Sequence, residues 1–152
     1  MSLVTSFGRS ASKTEWVYGF KVALVVDPTG VVTAFLLAPA ASDERPIGEA
    51  LVASDQHGAY LADKGFAGVE WERLLMEVYG VLVAATPKDN SRRAWSKADR
   101  RWASGERQII EGVIYQLKDF FGLERRRAKT LSGLLTPLAA YTCAQRINDF
   151  LG

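Results

Sequence analysis

Two strand-forming runs joined by a tight turn constrain this chain more than any other feature. Phe20-Lys21-Val22-Ala23-Leu24-Val25-Val26 and Val31-Val32-Thr33-Ala34-Phe35-Leu36-Leu37 are rich in β-branched and aromatic residues, and Asp27-Pro28-Thr29-Gly30 separates them with Pro and Gly in favoured turn places. The pattern predicts a β-hairpin. Both runs are apolar almost throughout instead of alternating, so both faces of the sheet need covering. Helices are expected to follow, in a layered α/β domain.

The rest of the chain supplies them. Ala38-Pro39-Ala40 ends the hairpin, and Ser42 reads as the N-cap of a short helix carrying Ile47, Leu51 and Val52 on one side. Gly58-Ala59-Tyr60-Leu61-Ala62 is a short strand, followed by the polar loop Asp63-Lys64-Gly65-Phe66. Trp71, Leu74, Leu75 and Val78 recur at helical spacing over Val69 to Tyr79, Gly80 ends that helix, and Val81 to Ala85 is another strand. Residues 88–105 are basic and lack a period, so they read as a loop, in which Trp95 and Trp102 either stack on a ligand or flank the backbone. Helices are expected over 106–151. Ile109, Ile110, Val113, Ile114, Leu117, Phe120 and Phe121 share one apolar sector, and Pro137 marks a fresh start or a kink in the last helix. Residues 1–15 read as an irregular lead-in, and 16–152 as the domain.

Composition narrows the function classes. At 152 residues, 48% hydrophobic and 24% charged, the chain fits one globular domain with its own core and excludes global disorder. One cysteine, Cys143, and one histidine, His57, cannot build a Cys/His zinc cage or an intramolecular disulfide, so a metal here needs carboxylate ligands. His57 reads as a loop or interface residue, and Trp16 and Trp71 as core. No run approaches the roughly 20 apolar residues of a membrane span, and no signal pattern opens the chain, which places it by expectation in the cytoplasm, away from membranes.

The net charge of +2 conceals an asymmetry. Lys88 to Thr130 holds twelve Lys/Arg against six Asp/Glu, leaving seven against eleven elsewhere. A basic block beside an acidic one suits a protein that meets a polyanion on one face and holds cations on another; a solvated helical surface gives the same count.

Two acids stand out by position. Asp63 follows a short strand, at the rim of a sheet, where α/β folds carry their sites. Glu111 lies on the long helix, with Arg107 and Lys118 within about 40° of it on the helical wheel. Carboxylates from separate elements can hold Mg²⁺ for phosphodiester chemistry while Arg and Lys hold phosphates. The plain alternatives are turn chemistry for Asp63 and a surface ion pair between Glu111 and Arg107.

The ordered set Trp16-Val17-Tyr18-Gly19-Phe20-Lys21, Asp63-Lys64-Gly65-Phe66, Arg107 through Glu111 to Lys118, and Leu123-Glu124-Arg125-Arg126-Arg127-Ala128-Lys129-Thr130 resembles bacterial insertion-sequence transposases of the DDE type, nearest the insertion-sequence-four-like group. The spacing of Arg107, Glu111 and Lys118 is its most specific part. The resemblance implies an RNase H-like mixed sheet with flanking helices, catalytic and metal-binding roles for Asp63 and Glu111, Mg²⁺ or Mn²⁺ as cofactor, and DNA contacts from Arg107, Lys118, Arg125, Arg126, Arg127 and Lys129. Transposon ends and target DNA are the implied partners, and a missing first strand would expose a sheet edge or leave a groove, so a homodimer is also expected. Two departures accompany it. The aromatic that leads the signature falls on Ser104, and the acid of the first strand has no counterpart, since residues 1–19 contain no Asp and Glu15 sits directly before a later strand. Asp27 lies in the hairpin turn at the far end, and Asp43 reads as structural. The chain is therefore expected to be the carboxy-terminal part of a transposase whose first strand is missing or incomplete, inactive in cleavage alone. The competing expectation is a non-catalytic DNA-binding or dimerisation remnant.

Overall fold

The computed structural model describes residues 2–8, 20–55, 58–87, 95–119 and 131–151. Five strands, β1 (Ser2–Gly8), β2 (Phe20–Val26), β3 (Val32–Pro39), β4 (Ala59–Ala62) and β5 (Leu82–Ala85), form one sheet in the order β3-β2-β1-β4-β5. The helices are α1 (Glu44–Asp55), α2 (Val69–Tyr79), α3 (Lys97–Asp119) and α4 (Leu131–Leu151). This mixed α/β architecture is compatible with the RNase H-like fold.

The first strand is present, which corrects the expected irregular lead-in. β1 is the middle strand of the sheet: it pairs antiparallel with β2, from Leu3 opposite Val26 to Gly8 opposite Lys21, and parallel with β4, from Ser2 opposite Tyr60 to Val4 opposite Ala62. Pairing on both edges satisfies its backbone and overrides a sequence with weak strand character, Ser-Leu-Val-Thr-Ser-Phe-Gly. The open groove that a missing strand leaves is absent, and with it that reason to expect dimerisation; the sheet edges are β3 and β5.

The continuous apolar runs do cover two cores. Along β2, Ala23 and Val25 pack with α1 and α2 through Ile47, Leu51, Val52 and Leu75, whereas Val22, Leu24 and Val26 pack with α3 and α4 through Ile110, Val113, Leu117, Leu138 and Tyr141. Alternate residues thus serve opposite layers, and each fully buried leucine contributes about 1.5–3 kcal/mol. Among the described residues no helix is long and apolar enough to cross a membrane.

The hairpin turn is closed by its acid. Asp27 Oδ1 accepts from the amides of Thr29 (2.8 Å) and Val31 (3.0 Å) and from the Thr29 hydroxyl (2.6 Å), while Gly30 takes φ of 92°. On the other side of the hairpin, Gln145 of α4 donates to Gly30 O (2.7 Å) and accepts from Val32 N (2.9 Å), anchoring the helix to the turn.

Three helical details differ from the sequence expectation. α1 starts at Glu44, with Asp43 instead of Ser42 accepting the Arg45 amide (3.2 Å), and Pro46 falls in the first turn, where its missing N–H costs nothing. On α2 the inward row is Trp71, Leu75 and Tyr79, which leaves Leu74 and Val78 exposed. α3 begins at Lys97, inside the segment expected to be a loop. A capping box nucleates it: Ser96 Oγ accepts from Asp99 N (3.1 Å) and Asp99 Oδ2 accepts from Ser96 N (3.1 Å). Ala103 extends the buried row of Ile110, Val113 and Leu117 back into that first half, and Trp95 packs partly on the same core, whereas Trp102 is exposed. α4 runs through Pro137 as one helix. Trp16, His57, Phe120 and Phe121 lie outside the described residues.

Ser96→Ala is expected to lower stability by about 1 kcal/mol by removing the cap of α3, measured by urea unfolding. Asp27 supplies a pH dependence. Partial burial raises its pKa, but the hydrogen bonds from the Thr29 hydroxyl and from the Val31, Thr29 and Gly30 amides outweigh that and hold it below the ordinary 3.8. A depressed carboxylate adds stability above its unfolded pKa that is lost as pH falls through the folded one. Acid titration of the melting temperature is therefore expected to fall more steeply below pH 3.8 for the wild type than for Asp27→Asn.

Candidate functional site

The carboxyl end of β4 meets α3 at the rim of the sheet, and the loop Asp63-Lys64-Gly65-Phe66 is built to hold one acid there. Asp63 leaves the strand in an extended conformation, φ −70° and ψ 161°, and its Oδ1 accepts the Lys64 amide at 2.7 Å, capping the 3-10 turn Lys64–Phe66. Phe66 N donates to Asp63 O (2.9 Å), tightening the turn. Phe66 is the plug: its ring is fully buried, 6.3 Å from the Trp71 ring and so close to Gly48 that a Cβ there would lie 2.7 Å from it. The carboxylate of Glu44 packs against Gly65, where a side chain at 65 would begin, so a larger residue there would have to displace it. The β5 end is tied in as well, through Thr86 N to Ala62 O (3.0 Å).

Arg107 comes down from α3 onto this loop. Its guanidinium Nη2 forms an ion pair and hydrogen bond with Asp63 Oδ1, both side chains remaining about one-third exposed (37% and 35%). The same oxygen thus takes a backbone N–H and a cation. The plain alternative for Asp63, turn chemistry, is met, and the acid also faces a charged partner from another element.

The structure brings Asp63 and Arg107 together. It places Glu111 one turn further along α3, about 6 Å by helical rise, exposed, and Lys118 two turns beyond that, half-buried on the same stripe. Among the described residues the ion pair of Arg107 is with Asp63, not with Glu111. Arg125, Arg126, Arg127, Lys129 and Glu15 lie outside the described residues.

The residues the sequence reading passed over at this rim are Glu44 and Lys21. Glu44 was visible only as an acid in the first turn of α1, a helix-dipole signal that says nothing about Gly65. Lys21 opens β2 and donates from Nζ to Ser42 O (2.8 Å), tying the start of that strand to the segment that enters α1.

Mg²⁺ takes about six oxygen ligands, usually one or two carboxylates with several waters. At this rim Asp63 is engaged by Arg107, and among the described residues no three Asp, Glu, His or Cys side chains are grouped to hold an ion.

A double-mutant cycle with Asp63→Asn and Arg107→Gln is expected to give a coupling of about 0.2–1 kcal/mol in urea unfolding, the range of a half-exposed pair. A coupling indistinguishable from zero would show that the pair adds nothing to stability.

Among curated proteins none matches the chain. Residues 2–131 match the family described as transposase DDE domain, from the middle strand of the sheet through the first residue of α4. Members of this family in general use divalent metal ions. With that match over most of its length, and with an acid at the end of β4 and a second on the helix after the last strand, the chain belongs to the transposase DDE domain family.

Proposed function

We infer that the chain, as a member of the transposase DDE domain family, has a role in DNA transposition. We propose that it serves this role by holding DNA along the flank of α3 that carries Arg107, Glu111 and Lys118, with transposon ends and target DNA as partners in the cytoplasm. The observation that carries the reading is the Arg107–Asp63 pair: a guanidinium is held at the sheet rim, about one-third exposed, where a phosphate can share it. Arg100, one heptad before Arg107 on the same helix, continues the basic stripe. The cluster Arg125, Arg126, Arg127 and Lys129 adds phosphate contacts on this reading.

Asp63 and Glu111 keep the places of two acids of a cleaving site, as proposed from the sequence. Among the described residues no three acids, histidines or cysteines are grouped to hold a metal ion, which supports the reading of a DNA-holding domain inactive in cleavage alone. Dimerisation on DNA ends belongs to the same proposal.

Fluorescence anisotropy with a labelled duplex in EDTA tests the DNA part. Affinity is expected to fall by orders of magnitude between 50 and 200 mM salt if several phosphates are neutralised, and Arg107→Ala and Lys118→Ala are each expected to flatten the slope of log K against log salt by about 0.9. Charge reversal at Arg125 to Arg127 is expected to weaken binding further. No measurable affinity at 50 mM salt, or affinity indifferent to all of these changes, overturns the reading.

A further inference from the structure

The side of α3 turned away from Asp63 borders a cleft. Gln108, Gly112 and Gln116 form a row along the helix, about 100–180° round the wheel from Arg107, and this row faces α4 and the hairpin turn across a space of about 440 Å³. Ile109, Val113 and Val31 give the cleft apolar walls. A chain of hydrogen bonds fixes one side of it: Gln145 Nε2 donates to Tyr141 Oη (2.9 Å), and Tyr141 Oη donates to Gln116 Oε1 (2.7 Å), which joins α4 to α3.

The lining selects a class of ligand. Among the described residues no Lys, Arg, Asp or Glu lines the cleft, so a phosphate, a carboxylate or a cation finds no counter-charge there. Amides remain. The side chains of Gln108 and Asn148 and the Nε2 of Gln116 have no hydrogen-bond partner among the described residues, which leaves donors and acceptors turned to a space with apolar walls. A flat neutral ring that carries a donor beside an acceptor on one edge matches both features, and adenine is the base whose N6 and N7 pair with Asn and Gln in this way. Gly112 keeps the room open. A Cβ there would meet nothing within 4 Å, so close packing does not call for a residue that is disfavoured inside a helix.

We propose that the cleft between α3, α4 and the hairpin turn binds an adenine base. The site goes beyond the DNA-holding flank, because it lies off the stripe of Arg107, Glu111 and Lys118 and takes a base without its phosphate. Failure of one leaves the other standing.

The test is titration of the ¹⁵N-labelled full chain with adenosine at pH 7 and millimolar nucleoside, following the backbone amides of Gly112 and Val113 by nuclear magnetic resonance. Wild type is expected to show saturable shifts. 7-Deazaadenosine, which lacks the N7 acceptor, is expected to bind about tenfold more weakly, and Gln116→Glu, which keeps the acceptor for Tyr141 but loses the amide donor, to weaken adenosine by about as much. Gly112→Leu fills the cleft and is expected to abolish the shifts at Val113 with circular dichroism unchanged. A short oligo(dA) strand that shifts the same amides identifies a nucleic-acid strand as the source of the base, and adenosine acting alone identifies a free nucleoside. No saturable shift at the cleft with either probe, equal binding of adenosine and 7-deazaadenosine, or undiminished binding to folded Gly112→Leu overturns the proposal. If Gly112→Leu does not fold, Gln116→Glu decides, and adenosine affinity unchanged from wild type sinks it.

Discussion

Everything in this fold hangs on β1, which pairs with β2 through residues 3–8 and with β4 through residues 2–4. β1 carries the antiparallel hairpin on one edge and the parallel β4-β5 pair on the other, so without its backbone hydrogen bonds the sheet separates into two pieces, neither of which can support helices on both faces. The pairing also sets chemistry. By fixing β4 in parallel register, β1 delivers Asp63 to the rim, and by presenting Leu24's face to α3 the sheet brings Arg107 to the same place.

That rim is polar and only partly screened. Asp63 gives one oxygen to a backbone cap and to a guanidinium, an arrangement that orders the loop and stores a cation at the surface at little cost in stability. A polyanion meeting α3 finds a positive group already positioned, because the buried row Ala103, Ile110, Val113 and Leu117 fixes the rotation of the helix. Glu111 and Lys118 follow along the same stripe, so acid and base alternate along one helix flank instead of segregating.

The hairpin, the short strand before Asp63 and the bounds of α2 were legible because each is marked by local chemistry: Asp27-Pro28-Thr29-Gly30 for a turn, Gly80 in the left-handed region for a helix end. β1 was not, because Ser2-Leu3-Val4-Thr5-Ser6-Phe7-Gly8 has mediocre strand propensity and acquires its structure from partners distant in sequence. The start of α3 was written in Ser96 and Asp99, but the surrounding basic residues hid a capping box whose first buried follow-up is Ala103. On α2, spacing alone fitted Leu74 and Val78 to the core as well as Tyr79; the docking of Trp71 and Leu75 against Phe66 and α1 chose the rotation.

By itself the sequence determined the elements and the chain positions of the acids, since propensity, turn chemistry and apolar period act over a few residues. It also determined that the sheet is covered twice, because apolar runs without alternation leave no face for water. Only the tertiary structure decided who meets whom. Helical spacing offers Arg107 the nearby Glu111, a solvated pair worth a few tenths of a kcal/mol; packing of α3 across the sheet gives it Asp63 instead, 44 residues away, because burial of the apolar row sets the direction in which Arg107 leaves the helix. The pairing of β1 with both β2 and β4 is likewise a matter of register, which no local pattern encodes.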